Sequence, residues 1–221
     1  VYIDNYPNFL LNNHAYCWNK LYKRELFDKL MFPTGMIFED IPFTYPMFIL
    51  GQKIAVVDAE LYYYRRNSQG ITIRNKRIPQ RGILDLYYAS AELDKNYQLV
   101  RQNNKLDRII KERMHSVIYI SAIDASCWIQ IPHKDYKRII NLFSFLANRK
   151  YGLTIEENRF MQHQKKNRLL YRIRLMFLKL SIDNNFFTSQ TDEEILMEIE
   201  KIIDDYNQRT LVKEEKVKKK L

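Results

Sequence analysis

The sequence predicts an α/β segment over residues 1–75, followed by a mostly α-helical region over residues 76–221. Three observations carry that expectation. Residues 53–57 and 61–64 are short runs rich in Val, Ile and Tyr, the composition of strands. After Arg74 the apolar pattern turns helical. Two Thr-x-x-Glu sequences, starting at Thr154 and Thr191, have the form of capping boxes that open helices.

Taken in order, residues 15–22 are aromatic-rich and read as a strand running into a helix at Lys23-Arg24-Glu25-Leu26. Pro33 and Gly35 mark a loop. Residues 41–50 are apolar enough for a buried helix, and the two predicted strands follow. Residues 67–72 read as a loop that turns at Gly70. Five helices are expected beyond it, at roughly 79–102, 105–128, 133–149, 154–181 and 191–208. The last would set Ile195, Ile199, Ile202, Ile203 and Tyr206 on one face. The tail from Lys213 is charged and expected to fray.

Composition narrows the function classes. Hydrophobic residues make up 46% of the 221, enough for a sizeable core and too many for a disordered chain. Cys17 and Cys127 are isolated thiols, which suits a reducing compartment. His14, His115, His133 and His163 show no zinc-site spacing. A net charge of +10 points to an anionic partner such as a membrane surface or a phosphate-rich substrate. No nucleic-acid-binding motif is present, so nucleic acid is not expected as a partner. No signal peptide or spanning segment is visible, so the chain is expected in the cytoplasm or peripherally on the inner face of the cell membrane. The start at Val1 suggests a piece of a longer protein.

The chemistry concentrates in three motifs. They are WNKLYKREL from Trp18, FPTGMIFED ending at Asp40, and LYYYRRN from Leu61. In this order and spacing they resemble the family-2 glycosyltransferases of the GT-A fold. The nearest likeness is to enzymes that build bacterial surface polysaccharides and teichoic-acid decorations. The likeness covers about a quarter of the chain. Each motif is weak alone, and the three together are more specific.

Residue chemistry agrees with that resemblance. Sugar transfer needs a base for the acceptor hydroxyl and positive charge where the diphosphate departs. Glu39 and Asp40 are paired acids just ahead of an apolar helix, whose free amides would keep a carboxylate ionised. The resemblance makes Asp40 the catalytic base, with Glu39 beside it to orient the acceptor. The plainer reading is that Asp40 caps the helix at Ile41.

Arg65 and Arg66 follow a predicted strand, and guanidinium forks suit phosphate oxygens. The resemblance places them on the donor diphosphate, with Ser68 and Thr72 adding hydroxyl donors. Relatives often carry Ser-Ile-Thr where this chain has Gly70-Ile71-Thr72. The alternative is a solvated arginine pair at a strand end. Trp18 and Lys20 are candidates for the acceptor cleft; the plainer reading for Trp18 is core packing beside Tyr22. His14 is either a structural histidine or a diphosphate or metal contact.

The resemblance implies a nucleotide-sugar donor, a saccharide or polymer acceptor, and Mn²⁺ or Mg²⁺ in the complete enzyme. It also implies inversion at the anomeric carbon. No Asp-x-Asp occurs, so no full metal site is expected in this chain, and the nucleotide-binding half is expected to be absent. Residues 165–180, KKNRLLYRIRLMFLKL, place Lys165, Arg168, Arg172 and Lys179 within a sector of roughly 60° on a helix. Leu169, Ile173, Met176, Phe177 and Leu180 lie on a neighbouring face. Such a helix could rest on an anionic membrane or pack in a bundle with a solvated basic stripe. A second functional reading follows: a helical module without catalysis that docks on membrane, polymer or a partner subunit.

Overall fold

The structure, a computed structural model, describes residues 1–67, 70, 82–123, 132–163 and 176–218. It corrects the α/β expectation. The described residues are helical and contain no β-strand; the single β feature is one antiparallel bridge between Tyr2 and Lys53. Around it the Ile3 amide donates to the Gln52 carbonyl at 2.9 Å and the Ile54 amide to the Val1 carbonyl at 2.7 Å. Beyond Ile54 the predicted strands have no regular secondary structure and lie at the surface: Val56 is 71% exposed and Tyr63 88%. β-propensity expresses packing against neighbouring strands, and no described residues form a strand to pair with them. Residues 15–22 likewise form no strand, and the Arg24–Asp28 stretch is a 3₁₀ turn.

After the short helix α1 (Phe9–Asn12), α2 (Asp40–Gly51) is the centre of the N-terminal part. Its residues from Ile41 to Ile49 are all buried, as expected of a helix apolar on every side. Pro42 is tolerated because first-turn amides have no partner within the helix. Pro46 lies deeper and cannot donate to the carbonyl of Pro42. That carbonyl is satisfied from outside: the Asn96 side-chain amide donates to it at 3.0 Å. The helix ends at Gln52, which takes a left-handed φ of 58° and donates to the Phe48 and Ile49 carbonyls.

Asn96 belongs to α3 (Gly82–Val100), which packs between α2 and α4 (Asp107–Ile123). Ala89 and Ser90 are small enough for close approach, and the Ser90 hydroxyl donates to the Met114 carbonyl at 3.0 Å. Next come α5 (His133–Tyr151), α6 (Arg159–His163), helical residues 176–181 and α7 (Asp192–Lys218). α4 packs on α5, and α5 on α7. Gly152 ends α5 in the left-handed region at φ 57°, where a side chain would be strained.

Both capping boxes form. The Thr191 amide donates to Glu194 at 2.7 Å and the Glu194 amide to the Thr191 hydroxyl at 3.2 Å, opening α7. The Thr154 box closes a turn, and Asn158, just ahead of α6, accepts from the Met161 amide through its Oδ1. Ile195, Ile199 and Ile203 are buried, with Ile202 and Tyr206 partly buried against them, as the periodicity predicts. One hydrophobic core runs from Ile3 to Ile203. The expected division at residue 75 falls outside the described residues.

α4 carries an unusual buried polar row. Glu112 is fully buried and accepts from Arg108 at 3.0 Å and Arg159 at 2.8 Å. Asn158 donates to the Glu112 carbonyl at 2.7 Å and meets His115 Nδ1 at 2.9 Å. Arg113 donates to the Asn13 carbonyl at 2.9 Å, with its guanidinium over the rings of Tyr45 and Phe160. For Glu112 the two guanidinium partners match what burial demands of a charged group.

Candidate functional site

Asp40 is the first residue of α2, and Glu39 occupies the cap position without a side-chain cap hydrogen bond. Asp40 therefore does not act as the helix cap. The residue before the pair, Phe38, takes a left-handed φ of 68°, which a bulky side chain adopts only when its surroundings enforce it. The Phe38 ring packs on the core, and its carbonyl accepts from the Ile41 amide at 3.1 Å, so both ends of the acidic pair are fixed.

The Asp40 carboxyl is pushed up to about 6, first by burial and next by the negative charge of Glu39. The Ile41 and Asp40 amides and the Lys20 ammonium pull the other way and do not win. Helix-end stabilisation alone would have left an ordinary acid. Partial burial makes a stronger base, with the carboxylate still the main form at pH 7.

Lys20 enters from the preceding loop. Its Nζ donates to the Tyr16 carbonyl at 2.6 Å and to Asn19 Oδ1 at 3.0 Å. Asn19 is left-handed at φ 58°, which turns the chain so that Lys20 faces back. Burial pushes the Lys20 ammonium down, while the charges of Cys17 and Asp40 push it up. Cys17, which sequence reasoning passed over, belongs to the same group. Burial raises its thiol, and so do the charges of Asp40 and Glu39. Nothing in its spacing distinguished it; a lone cysteine carries no pattern.

Trp18 is not a core residue. It stacks with Tyr16 at 4.6 Å between ring centroids, with Tyr62 at 5.3 Å and with Tyr64 at 5.0 Å. His14 extends the stack beyond Tyr16 at 5.1 Å. Tyr22, by contrast, packs edge-on against Phe43 of the core. Arg65 and Arg66 follow Tyr64 directly, are exposed, and make no hydrogen bond or ion pair among the described residues. Ser68 and Thr72 lie outside the described residues. The structure thus brings Glu39, Asp40, Lys20 and Cys17 together, and reaches the arginines from Trp18 through the tyrosines.

Among the described residues no three His, Cys, Asp or Glu side chains converge on a point that could hold a metal ion. The described residues alone offer no such site for the divalent ion that the resemblance implies. A cavity of about 180 Å³ lies at the other end of α2, lined by residues that include Tyr2, Gln52, Arg101 and Asn103. Arg101 is tied there to Asp107 at 2.8 Å. No described helix is long and apolar enough to cross a membrane.

No family model matches the chain, and no solved structure matches it. Two curated proteins do. A processive diacylglycerol beta-glycosyltransferase of Mycoplasma genitalium is 38% identical over 76 residues, which is 33% of this chain and 22% of that protein. A Bacillus subtilis glycosyltransferase named EpsJ, itself uncharacterized, is 35% identical over 86 residues, 38% of this chain and 22% of its own length. The chain spans about a fifth of the length of these relatives. Both names support glycosyl transfer in general.

Proposed function

We propose that this chain handles the acceptor in an inverting, family-2-type glycosyltransferase. The reaction moves a sugar from a nucleotide-sugar donor to a hydroxyl of a cell-surface polysaccharide, a teichoic acid or a lipid-linked saccharide. The observation that carries the reading is the Asp40 carboxyl, fixed at the start of α2, beside Glu39 and within the field of Lys20. The partial likeness to two glycosyltransferases supports the reaction class.

In this reading the Asp40 carboxylate takes the proton of the acceptor hydroxyl as its oxygen attacks the anomeric carbon. The bond from that carbon to the diphosphate breaks on the opposite face, so the centre inverts. The electron pair leaves on the diphosphate, and the exposed guanidinium groups of Arg65 and Arg66 are suited to stabilise it. The charge of Glu39 beside Asp40 raises the basicity of Asp40, and in this reading Glu39 accepts from a second acceptor hydroxyl.

In the natively expressed polypeptide, Asp40→Asn is expected to lower sugar transfer by about 10²–10⁴-fold, the usual share of a general base. Glu39→Gln should cost less. Near wild-type turnover by Asp40→Asn would remove Asp40 from the mechanism.

A second reading rests on a separate observation. Met176, Phe177 and Leu180 are 51%, 60% and 73% exposed at the end of the basic sequence 165–180. Residues 164–175 lie outside the described residues, and Lys179 is paired with Glu156 at 2.6 Å. These apolar side chains suit insertion at an anionic membrane surface, without any need for catalysis. Flotation with anionic vesicles, reversed at high salt, is the expected result. Failure to float with any vesicle would remove this reading.

A further inference from the structure

The aromatic stack at the surface has no part in the core, and its composition and placement suit a ligand. His14, Tyr16 and Trp18 stack ring on ring in succession, with the chain bending at residues 17–19. Tyr62 and Tyr64 both stack on Trp18. The planes of the contacting rings lie within 13–30° of one another. Tyr16, Tyr62 and Tyr64 nevertheless remain 42%, 49% and 61% exposed. Between them Ala15 is buried, and the Cys17 thiol lies within the field of Asp40 and Glu39. The strip and the acidic pair are thus linked through one short stretch of chain.

We propose that this aromatic strip is a saccharide-binding subsite that holds a sugar unit of the acceptor away from the reacting hydroxyl. The inference rests on the sugar-transfer reading and adds to it that the acceptor is an oligosaccharide or polymer, longer than a single sugar. A pyranose ring presents a face of C–H bonds that stacks on aromatic rings, while its hydroxyls at the rim meet polar groups. The tyrosine hydroxyls and the His14 imidazole supply those groups here. No carboxylate or cation belongs to the strip itself, which suits an uncharged sugar. A nucleobase would call for a slot between two rings, and in this stack the facing ring surfaces already cover one another. What is presented is a broad strip of edges and outer faces, to which an extended chain of sugars can lie parallel. Positive charge flanks the strip, at Lys20, whose ammonium is tied to the Tyr16 carbonyl, and at Arg65 past Tyr64.

Trp18 is itself the reporter. The chain has two tryptophans, so Trp128→Phe leaves Trp18 as the single one. Its fluorescence is to be titrated with glucose, cellobiose, N-acetylchitotriose and uridine diphosphate. The oligosaccharides are expected to change the emission saturably, with a Kd on the order of 1 mM, and glucose more weakly. Tyr62→Ala and Tyr64→Ala should weaken oligosaccharide binding at least several-fold, whereas Tyr64→Phe, which keeps the ring, should largely retain it. Unchanged circular dichroism in these variants excludes loss of fold as the cause. Saturable change with uridine diphosphate alone would overturn the proposal in favour of a base-stacking platform, and no change with any probe would overturn it outright. Neither result touches the Asp40 assignment, which stands or falls on the turnover of Asp40→Asn.

Discussion

At Asp40 the role proposed for one residue stands against stability. Its carboxyl titrates near 6 in the folded protein against about 3.9 in an unfolded chain. An acid raised on folding favours the folded state while protonated. Its contribution is therefore fully present below about pH 4 and is lost as the pH rises through about 6. At pH 7 the charged Asp40 is a cost, so Asp40→Asn is expected to be more stable than wild type by about 1–2 kcal/mol, a figure discounted for partial exposure. The difference should shrink toward zero near pH 4. Urea titrations at both pH values check it; an Asn variant less stable than wild type at pH 7 would contradict it. The acidic pair and its place ahead of an apolar helix were readable in the sequence. The raised basicity was not, because it comes from burial, which a one-dimensional pattern does not report. Trp18 makes the same point: its motif was visible, but its partners Tyr62 and Tyr64 lie more than forty positions further along the chain.

At the scale of elements, the helices were legible because periodicity and capping chemistry are local. The five expected segments are helical wherever the structure describes them, except for the turn and loop that precede α6 and short stretches at the segment ends. Extended runs were misread as strands because Val, Ile and Tyr record a preference that needs a partner, and the partner is not written in the run itself. The packing of α2 on α3 depends on a related non-local device. Pro46 leaves the Pro42 carbonyl without its helical donor, and Asn96 fills the gap. Asn96→Ala should cost about 1–3 kcal/mol, because it leaves that carbonyl buried and unsatisfied. In a Pro46→Ala background the helix regains its own donor, and the same substitution should cost less. A double-mutant cycle by chemical denaturation reads the coupling, and additive effects would rule the device out.

Across the whole molecule, Arg113 joins parts that are far apart in sequence. From α4 it holds the Asn13 carbonyl ahead of the acidic loop, and its guanidinium lies 4.6 Å from the Tyr45 ring centre of α2 and 3.9 Å from that of Phe160 in α6. Arg113→Ala is expected to destabilise the fold by about 3 kcal/mol, from the lost cation–π contacts and charge-assisted hydrogen bond. Arg113→Lys should recover only part, since an ammonium cannot stack as a planar guanidinium does. Thermal unfolding checks both. Equal stability of Arg113→Ala and wild type would mean that the helical array and the α2 region cohere without it. No sequence pattern singled out this residue, because its role depends on three segments meeting around one side chain.

The central claim is that Asp40 is the base for the acceptor, tuned by burial, by Glu39 and by Lys20. The most direct measurement is the pH dependence of kcat/KM for sugar transfer in wild type and in Lys20→Met. An acid limb near pH 6 is expected in wild type. Removing the Lys20 charge, which holds the Asp40 carboxyl down, should move that limb to higher pH. A profile flat through this range, or a limb that stays in place in Lys20→Met and persists in Asp40→Asn, would show that another group takes the proton.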